Sequence, residues 1–169
     1  MYNSVKRSMY SGANMSFLVL GRQHVCKPEY TPEIPHIVIS ITDPDEPEAY
    51  YVPTDLRQDI LRLSFFDINE SIGNLTMVND NDIDAIIDFV NTWKDKVPLI
   101  VTQCEAGISR SSGVAAGLSQ WLNNDSKFFF DTYLPNSLVY SKLVKKLLDV
   151  DVPPPEPTLY DNSDTWELF

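Results

Sequence analysis

The chain has 169 residues, of which 13 are Lys or Arg and 24 are Asp or Glu, and its formal net charge is −11. This length fits one domain of ~100–200 residues, and 43% hydrophobic and 22% charged residues are typical of a globular protein rather than of a disordered or fibrous one. The acidic balance argues against nucleic-acid partners, which need Lys and Arg to neutralise phosphates, and against docking on anionic membranes.

Apolar and β-branched runs alternate with helical patterns along the chain. The patterns predict strands at residues 17–20, 37–41, 60–66 and 99–102, and helices at residues 79–94, 111–123 and 138–148. Strands that alternate with helices favour a parallel sheet, because the connecting helices cover its faces. We therefore expect an α/β fold with a central, mainly parallel sheet of four to five strands flanked by helices.

The two ends of the chain differ from the middle. Residues 1–15 lack periodicity, so a loose N-terminal extension is expected there, followed by one folded domain over residues 16–149. Residues 150–169 are acidic and rich in proline, which predicts an extended tail. The apolar run at residues 17–20 is too short for a signal peptide, and nothing approaches the ~18 apolar residues of a membrane span. A cytoplasmic protein with reduced thiols is the expectation.

The chain has two cysteines, Cys26 and Cys104, which are too few for a disulfide scaffold. His24 and Cys26 form a His-x-Cys pair, but two further ligands at zinc-like spacing are missing, so no metal site is expected. A disulfide between Cys26 and Cys104 under oxidation stays open, because the sequence gives no distance between them.

A short loop joins the predicted strand at residues 99–102 to the predicted helix that begins at residue 111, and it runs from Cys104 to Arg110. Consecutive backbone N–H groups in such a loop can curl into a nest that holds a tetrahedral oxyanion, and the N-terminus of the helix adds partial positive charge. Arg110 can bind two phosphate oxygens at once, and Gly107 allows a backbone conformation that other residues resist. The spacing therefore predicts an anion site formed by the backbone N–H groups of Glu105, Ala106, Gly107, Ile108, Ser109 and Arg110.

In this position the sulfur of Cys104 lies at the centre of a positive field. Settings of this kind lower the pKa of cysteine thiols from ~8.5 to ~3.5–7.5. A thiolate is a nucleophile at neutral pH. Ser111 can donate a hydrogen bond to the sulfur and help it leave when a thiophosphate intermediate is hydrolysed. We therefore expect Cys104, Arg110 and Ser111 to be catalytic.

The sequence Gln-Cys-Glu-Ala-Gly-Ile-Ser-Arg-Ser at residues 103–111 resembles the signature loop of the cysteine-dependent protein tyrosine phosphatases, of the small dual-specificity-like kind found in bacteria and phages. The resemblance covers residues 17–148 and includes the blocks at residues 39–43, 61–68 and 134–136. It implies a phosphatase-like catalytic domain that hydrolyses phosphotyrosine or other phosphomonoesters through a phosphocysteine intermediate. It also implies a phosphorylated protein or a small phosphomonoester as substrate, and no metal or organic cofactor.

The family needs a general acid, an Asp upstream of the nucleophile. Asp67 matches this position, 37 residues before Cys104, at the carboxyl end of a predicted strand, where α/β proteins place their sites. Three other acidic residues are weaker candidates. Glu70 lies off the motif, while Asp80 and Asp82 fit better as the first residues of a helix.

One position departs from the family, because Gln103 replaces the His that usually precedes the nucleophile and helps to hold its backbone. We expect a less activated thiol and a slower or more alkaline-shifted enzyme. An inactive, phosphate-binding module remains the alternative. A sulfurtransferase or arsenate-reducing enzyme is a weaker one, because its loop differs in position or spacing. The loop has no Lys, which by the same resemblance disfavours polyanionic lipid substrates.

Overall fold

The computed structural model describes residues 9–156, which are arranged around one five-stranded sheet. Its strands are β1 (Met9–Ser11), β2 (Ser16–Gly21), β3 (His36–Thr42), β4 (Arg57–Ser64) and β5 (Leu99–Cys104). The strand order is β1-β2-β5-β3-β4, with β1 antiparallel to β2 and all other neighbours parallel. The predicted α/β architecture with a mainly parallel sheet is therefore confirmed.

Five helices accompany the sheet: α1 (Arg22–Val25), α2 (Asp80–Trp93), α3 (Arg110–Asn123), α4 (Lys127–Thr132) and α5 (Ser137–Leu148). The three predicted helices correspond to α2, α3 and α5. The structure adds α1, α4 and a 3₁₀ turn at Pro28–Tyr30, which the sequence patterns did not predict. Each of these three is too short to show a clear helical period.

The two faces of the sheet are covered differently. One face carries the larger core, to which α2, α3, α4 and α5 contribute buried side chains. The other face carries a smaller core, in which Val25 from α1 and Ala49 and Tyr51 from the loop of residues 43–56 pack on the strands. Strands β3 and β5 are buried along their whole length, which explains the apolar runs at residues 37–39 and 99–101. The loop of residues 43–56 thus takes the place of a helix on this face.

Helix α3 packs tightly against α5. Its small residues allow this approach, since a Cβ atom added at Gly117 would lie 2.9 Å from Cβ of Leu143. Helix α3 also contacts the sheet, at β2, β3 and β5. The contact fixes α3, and with it the loop that leads into its first turn.

The N-terminal segment differs from the prediction, because residues of the expected loose extension form strand β1. Asn123, at the end of α3, accepts hydrogen bonds from the backbone N–H groups of Asn14 and Met15, at 2.8 and 2.9 Å, and donates one to the carbonyl of Met15 at 2.9 Å. The Tyr10 hydroxyl donates to Asp125 at 2.7 Å. These partners lie more than 100 residues away in sequence, so no local pattern indicated them.

At the other end, residues 150–156 continue past α5 without regular structure, and Val152 packs against the main core. The remainder of the predicted tail, residues 157–169, lies outside the described residues. Within residues 9–156, no helix has the length and apolar character needed to cross a membrane.

We predict that Asn123→Ala lowers the free energy of unfolding by about 2–3 kcal/mol, because it removes three hydrogen bonds to the backbone of Asn14 and of the buried Met15. Asn91→Ala, an exposed Asn→Ala change on α2, serves as the control and should change stability by less than about 0.5 kcal/mol. Urea unfolding of both variants measures the difference. Equal stabilities would show that Asn123 does not hold the N-terminal strand.

Candidate active site

The loop between β5 and α3 brings the predicted nucleophile and arginine together at the carboxyl edge of the sheet. Cys104 is the last residue of β5 and is 2% exposed, while Arg110 begins α3. The Sγ atom of Cys104 accepts a hydrogen bond from the Gly107 N–H at 3.3 Å and lies 3.1 Å from Oγ of Ser111. The sulfur is thus held between the loop backbone and the first turn of α3.

Gly107 allows the loop to close over the sulfur. Its φ of +72° lies in the left-handed region, and an added Cβ would lie 2.5 Å from the backbone N of Gly21. Gly21 ends β2 and pairs with Cys104 in the parallel register of β2 and β5. The loop therefore rests directly on the end of the neighbouring strand, where a side chain has no space.

Arg110 is a buried cation with partners on two other loops. Its residue is 5% exposed, and Nη1 donates to Oδ1 of Asp43 at 2.6 Å and to the Phe65 carbonyl at 2.7 Å. Asp43 follows β3 and Phe65 follows β4. Within residues 9–156, Nε of Arg110 is buried and has no hydrogen-bond partner. A buried N–H donor without an acceptor is costly, and an oxyanion in the loop would supply the acceptor.

The predicted general acid lies beside the same loop. Oδ1 of Asp67 accepts hydrogen bonds from Oγ of Ser109 and from Nδ2 of Asn136, both at 2.8 Å. Both bonds go to one carboxyl oxygen, so they orient the group while the second oxygen has no protein partner among the described residues. The structure thus places Asp67 in contact with Ser109, within the loop that runs from Cys104 to Arg110.

The weaker acid candidates lie elsewhere. Asp80 is the first residue of α2 and pairs with Lys142 at 3.1 Å. Asp82 accepts a hydrogen bond from the backbone N–H of Asn79, in a reciprocal cap of α2. Burial raises the pKa of Asp82. Both residues are helix-start residues, as expected, and Glu70 is exposed in the connection that follows Asp67.

Two residues of the site were missed as functional candidates. Asp43 could have been found by the rule that placed Asp67, because it directly follows a buried parallel strand. Asn136 is 2% exposed and donates from its backbone N–H to the Ser109 carbonyl at 2.9 Å and from its side chain to the Ile68 carbonyl at 3.2 Å. Its Oδ1 also accepts from Val139 N–H at the start of α5. Asn136 is therefore positioned by its contacts with Asp67, Ile68 and Ser109, which are distant in sequence and which spacing does not predict.

Gln103, the departure from the family pattern, is fully buried. Its Nε2 donates to the Cys104 carbonyl at 2.9 Å. The side chain therefore reaches the backbone of the nucleophile itself. The expected effect on activity stays a prediction.

A cleft of about 760 Å³ opens beside the loop; its lining residues are Arg22, Gln23, Cys26, Tyr50, Glu105, Ala106 and Ile108. Glu105 forms a two-point ion pair with Arg22, at 2.6 and 2.9 Å, and the hydrogen bond from Arg22 lowers the pKa of Glu105. Glu105 therefore stays ionised at neutral pH. Cys26 is exposed and Cys104 is buried, and both are free thiols. Among residues 9–156, no group of three or more His, Cys, Asp or Glu side chains is arranged to hold a metal ion.

We predict that Gly107→Ala weakens binding of vanadate, a phosphate-like oxyanion, by at least about tenfold, or 1.4 kcal/mol. The reason is that its Cβ would displace the loop from Gly21. Gly73→Ala is the matched control, since Gly73 also has a positive φ, +54°, but has open space where the Cβ would lie. Both changes should cost roughly 1–2 kcal/mol of stability through the left-handed backbone. Unchanged vanadate affinity in Gly107→Ala would contradict the role of the loop.

No family model matches this chain, and no curated protein is detectably similar to it. Solved structures share its fold, and two of them cover most of the chain. The crystal structure of PTPMT1 in complex with PI(5)P superposes with a TM-score of 0.53 at 10% sequence identity and covers 84% of this chain and 96% of that one. The crystal structure of Tk-PTP in the active form gives a TM-score of 0.50 at 12% identity and covers 84% of this chain and 97% of that one. The chain thus has the α/β fold of the cysteine-dependent protein tyrosine phosphatases.

Proposed function

We propose that this chain is a cysteine-dependent phosphatase that hydrolyses phosphomonoesters through a phosphocysteine intermediate. The observation that carries the proposal is the loop from Cys104 to Arg110. A buried thiol at the start of this loop receives a hydrogen bond from the Gly107 N–H, and the loop ends at a buried guanidinium with an unpartnered N–H. These groups are complementary to a phosphate held against the sulfur. The shared fold supports the same class of reaction.

Substrate binding uses groups that are already in place. The backbone N–H groups of residues 105–110 bind the non-bridging oxygens of the phosphate, and Arg110 adds two parallel N–H donors. Asp43 and the Phe65 carbonyl hold the guanidinium at its Nη1 atom, so its other donors remain for the substrate. A site built in this way needs little rearrangement in the transition state, which is where preorganised donors contribute most.

In the first step the thiolate of Cys104 attacks phosphorus in line with the bond that breaks. The P–S bond forms, the P–O bond to the leaving group breaks, and the carboxyl of Asp67 gives its proton to the leaving oxygen. In the second step the Asp67 carboxylate accepts a proton from water, which attacks phosphorus. The P–S bond then breaks, inorganic phosphate forms, and Ser111 donates a hydrogen bond to the departing sulfur.

The charged residues beside the phosphate loop, Glu105 and Arg22, bear on which phosphomonoesters the site accepts. The neighbour PTPMT1 was crystallised with PI(5)P. In this chain Glu105 lies next to the anion site and forms an ion pair with Arg22, the one cation that lines the neighbouring cleft within residues 9–156. Because Arg22 is already paired with a carboxylate, it offers little attraction to a second phosphate or an acidic headgroup. We propose a protein or small-molecule monoester with an uncharged group beside the phosphate.

Several features of the protein in the cell stay predictions from the sequence. These are the cytoplasmic location and the absence of nucleic-acid and membrane partners.

We predict that the chain hydrolyses p-nitrophenyl phosphate in the presence of EDTA and that Cys104→Ser abolishes turnover, because a serine hydroxyl is not ionised at neutral pH. Cys26→Ser is the matched control and should retain activity, since Cys26 is exposed on the wall of the neighbouring cleft and its thiol donates to the Gln23 carbonyl. A steady-state assay of the three proteins measures this. Vanadate binding without any turnover would instead indicate a phosphate-binding module, and turnover in Cys104→Ser would exclude the cysteine mechanism.

We predict that Asp67→Asn lowers kcat/KM, which reports the first step alone, by about 10²–10⁴-fold for alkyl phosphates, whose leaving groups need a proton. The loss should be much smaller for p-nitrophenyl phosphate, whose leaving group departs as a stable anion. Glu70→Gln, three residues away and exposed, is the control and should match the wild type. Equal losses with both substrates would assign the general acid to another residue.

We predict that wild-type protein hydrolyses p-nitrophenyl phosphate at least about tenfold more efficiently than PI(5)P, a difference of about 1.4 kcal/mol, because Arg22 is paired with Glu105 and does not bind the additional charge of the lipid headgroup. The comparison of kcat/KM should be made with short-chain, water-soluble PI(5)P, so that membrane binding does not contribute. Equal efficiencies would show that Glu105 does not discriminate against a polyanionic substrate.

A further inference from the structure

We propose that Gln103, held in place by Tyr51 and Ser40, is a positioning residue for Cys104 and for the first N–H of the phosphate loop. The inference rests on the proposed function, since it assigns a role within the same site. The three side chains form a buried hydrogen-bond network directly behind the nucleophile.

The contacts fix the orientation of the Gln103 amide. Its Oε1 accepts hydrogen bonds from Oγ of Ser40 and from the Tyr51 hydroxyl, both at 2.6 Å, and its Nε2 donates to the Cys104 carbonyl at 2.9 Å. The reversed amide would place its oxygen 2.9 Å from a carbonyl oxygen that can only accept. That arrangement is repulsive, so only one orientation satisfies all the partners.

The network is buried, so water cannot replace any hydrogen bond that is lost from it. Gln103 and Ser40 are fully buried and Tyr51 is 9% exposed. Burial raises the pKa of Tyr51, so its hydroxyl keeps its proton and remains a donor over the whole range in which enzymes are assayed. Unpaired polar groups are costly at such depth. Loss of Tyr51 or Ser40 therefore removes one of the two donors to Oε1 of Gln103, and the amide is held less firmly.

The effect on the nucleophile follows from peptide geometry. In a trans peptide the C=O and the following N–H point in opposite directions. Gln103 holds the Cys104 carbonyl on its own side, so the N–H of Glu105 is directed the other way, toward the anion site. A single hydrogen bond thus orients both the residue that bears the thiolate and the first donor to the phosphate.

One loop anchors both ends of the phosphate loop. Residues 43–56 carry Tyr51, which holds Gln103 before the nucleophile, and Asp43, which holds Arg110 at the other end. Arg57 and Arg62 lie 5.3 and 5.5 Å from the Tyr51 ring centre and donate to the carbonyls of Val52 and Ala49. The cations stabilise the aromatic ring and tie its loop to β4. Residues 43–56 therefore hold both ends of the phosphate loop in place, in addition to packing on the smaller core.

An amide and an imidazole differ in one respect that can be measured. The Gln103 amide does not titrate, whereas a His at this position changes its charge between pH 5 and 8. The hold on Cys104 is therefore independent of pH in this chain. A Gln103→His variant retains an N–H donor but adds an ionisation to the pH dependence of kcat/KM.

The test compares Tyr51→Phe, Gln103→Leu, the double variant and Gln103→His with the wild type. Each is assayed for kcat and KM with p-nitrophenyl phosphate across pH, and for the rate at which iodoacetamide alkylates Cys104, read by mass spectrometry of the Cys104 peptide. Tyr140→Phe is the matched control. Tyr140 is also a buried tyrosine, but its hydroxyl has no hydrogen-bond partner among residues 9–156, so its removal should change neither activity nor alkylation.

We expect Tyr51→Phe to lower kcat about tenfold and Gln103→Leu up to about a hundredfold, with KM changing less, because misplacement of a reacting group acts on the transition state. The acid limb of kcat/KM and the alkylation rate should shift to higher pH in both variants. The double variant should be no worse than Gln103→Leu, since both changes break one network. Gln103→His should have a higher kcat than Gln103→Leu, because it keeps an N–H donor.

Pure loss of stability does not move a pH profile, so a lower melting temperature with wild-type kcat and profile in Tyr51→Phe and Gln103→Leu overturns the inference. Equal effects of Tyr51→Phe and Tyr140→Phe overturn it as well. Should the wild type turn over no phosphomonoester, the proposed function fails. The pH dependence of Cys104 alkylation then still decides whether Gln103 and Tyr51 position the thiol.

Discussion

Burial of the Arg110 guanidinium is the constraint on which the rest of the site depends. A buried cation is stable only when it is paired and hydrogen-bonded. Arg110 meets this need with Asp43 and the Phe65 carbonyl, which follow two different strands. The pairing fixes the ends of β3 and β4 around the phosphate loop and leaves Nε of Arg110 without a protein acceptor. The arrangement that stabilises the charge of Arg110 therefore leaves one buried donor that an oxyanion can pair with.

The parallel sheet determines which residues can meet at this point. The carboxyl ends of β2, β3, β4 and β5 lie along one edge, and the chain leaves them at Gly21, Asp43, Phe65 and Cys104. Asp67 follows two residues after Phe65 and reaches the phosphate loop through Ser109. Asn136 then links that loop to the N-terminus of α5. The catalytic groups come from separate segments, but packing of α3 on α5 and the cap of α5 hold them in one frame.

Much of this could be predicted, because the informative signals are local. The spacing of Cys104 and Arg110 between a strand and a helix predicts the loop, and the position of Asp67 after a strand predicts the carboxylate beside it. Contacts between distant segments could not be predicted, because nothing near Asn136, Tyr51 or Asn123 in sequence indicates what they bind. The expectation for residues 9–15 was wrong for that reason. For Gln103 the sequence showed only that it replaces the family's His. The role of its amide depends on hydrogen bonds from Ser40, on another strand, and from Tyr51, on a loop.

The central claim is that the sulfur of Cys104 carries the phosphoryl group. In Asp67→Asn the second step lacks its base, so a phosphorylated enzyme should accumulate during turnover of p-nitrophenyl phosphate. A rapid denaturing quench followed by mass spectrometry of the peptides locates the phosphoryl group directly. The account predicts phosphate on the Cys104 peptide, and none when Cys104 is also changed to serine. Phosphate on another residue, or steady turnover with no phosphorylated peptide, would contradict it.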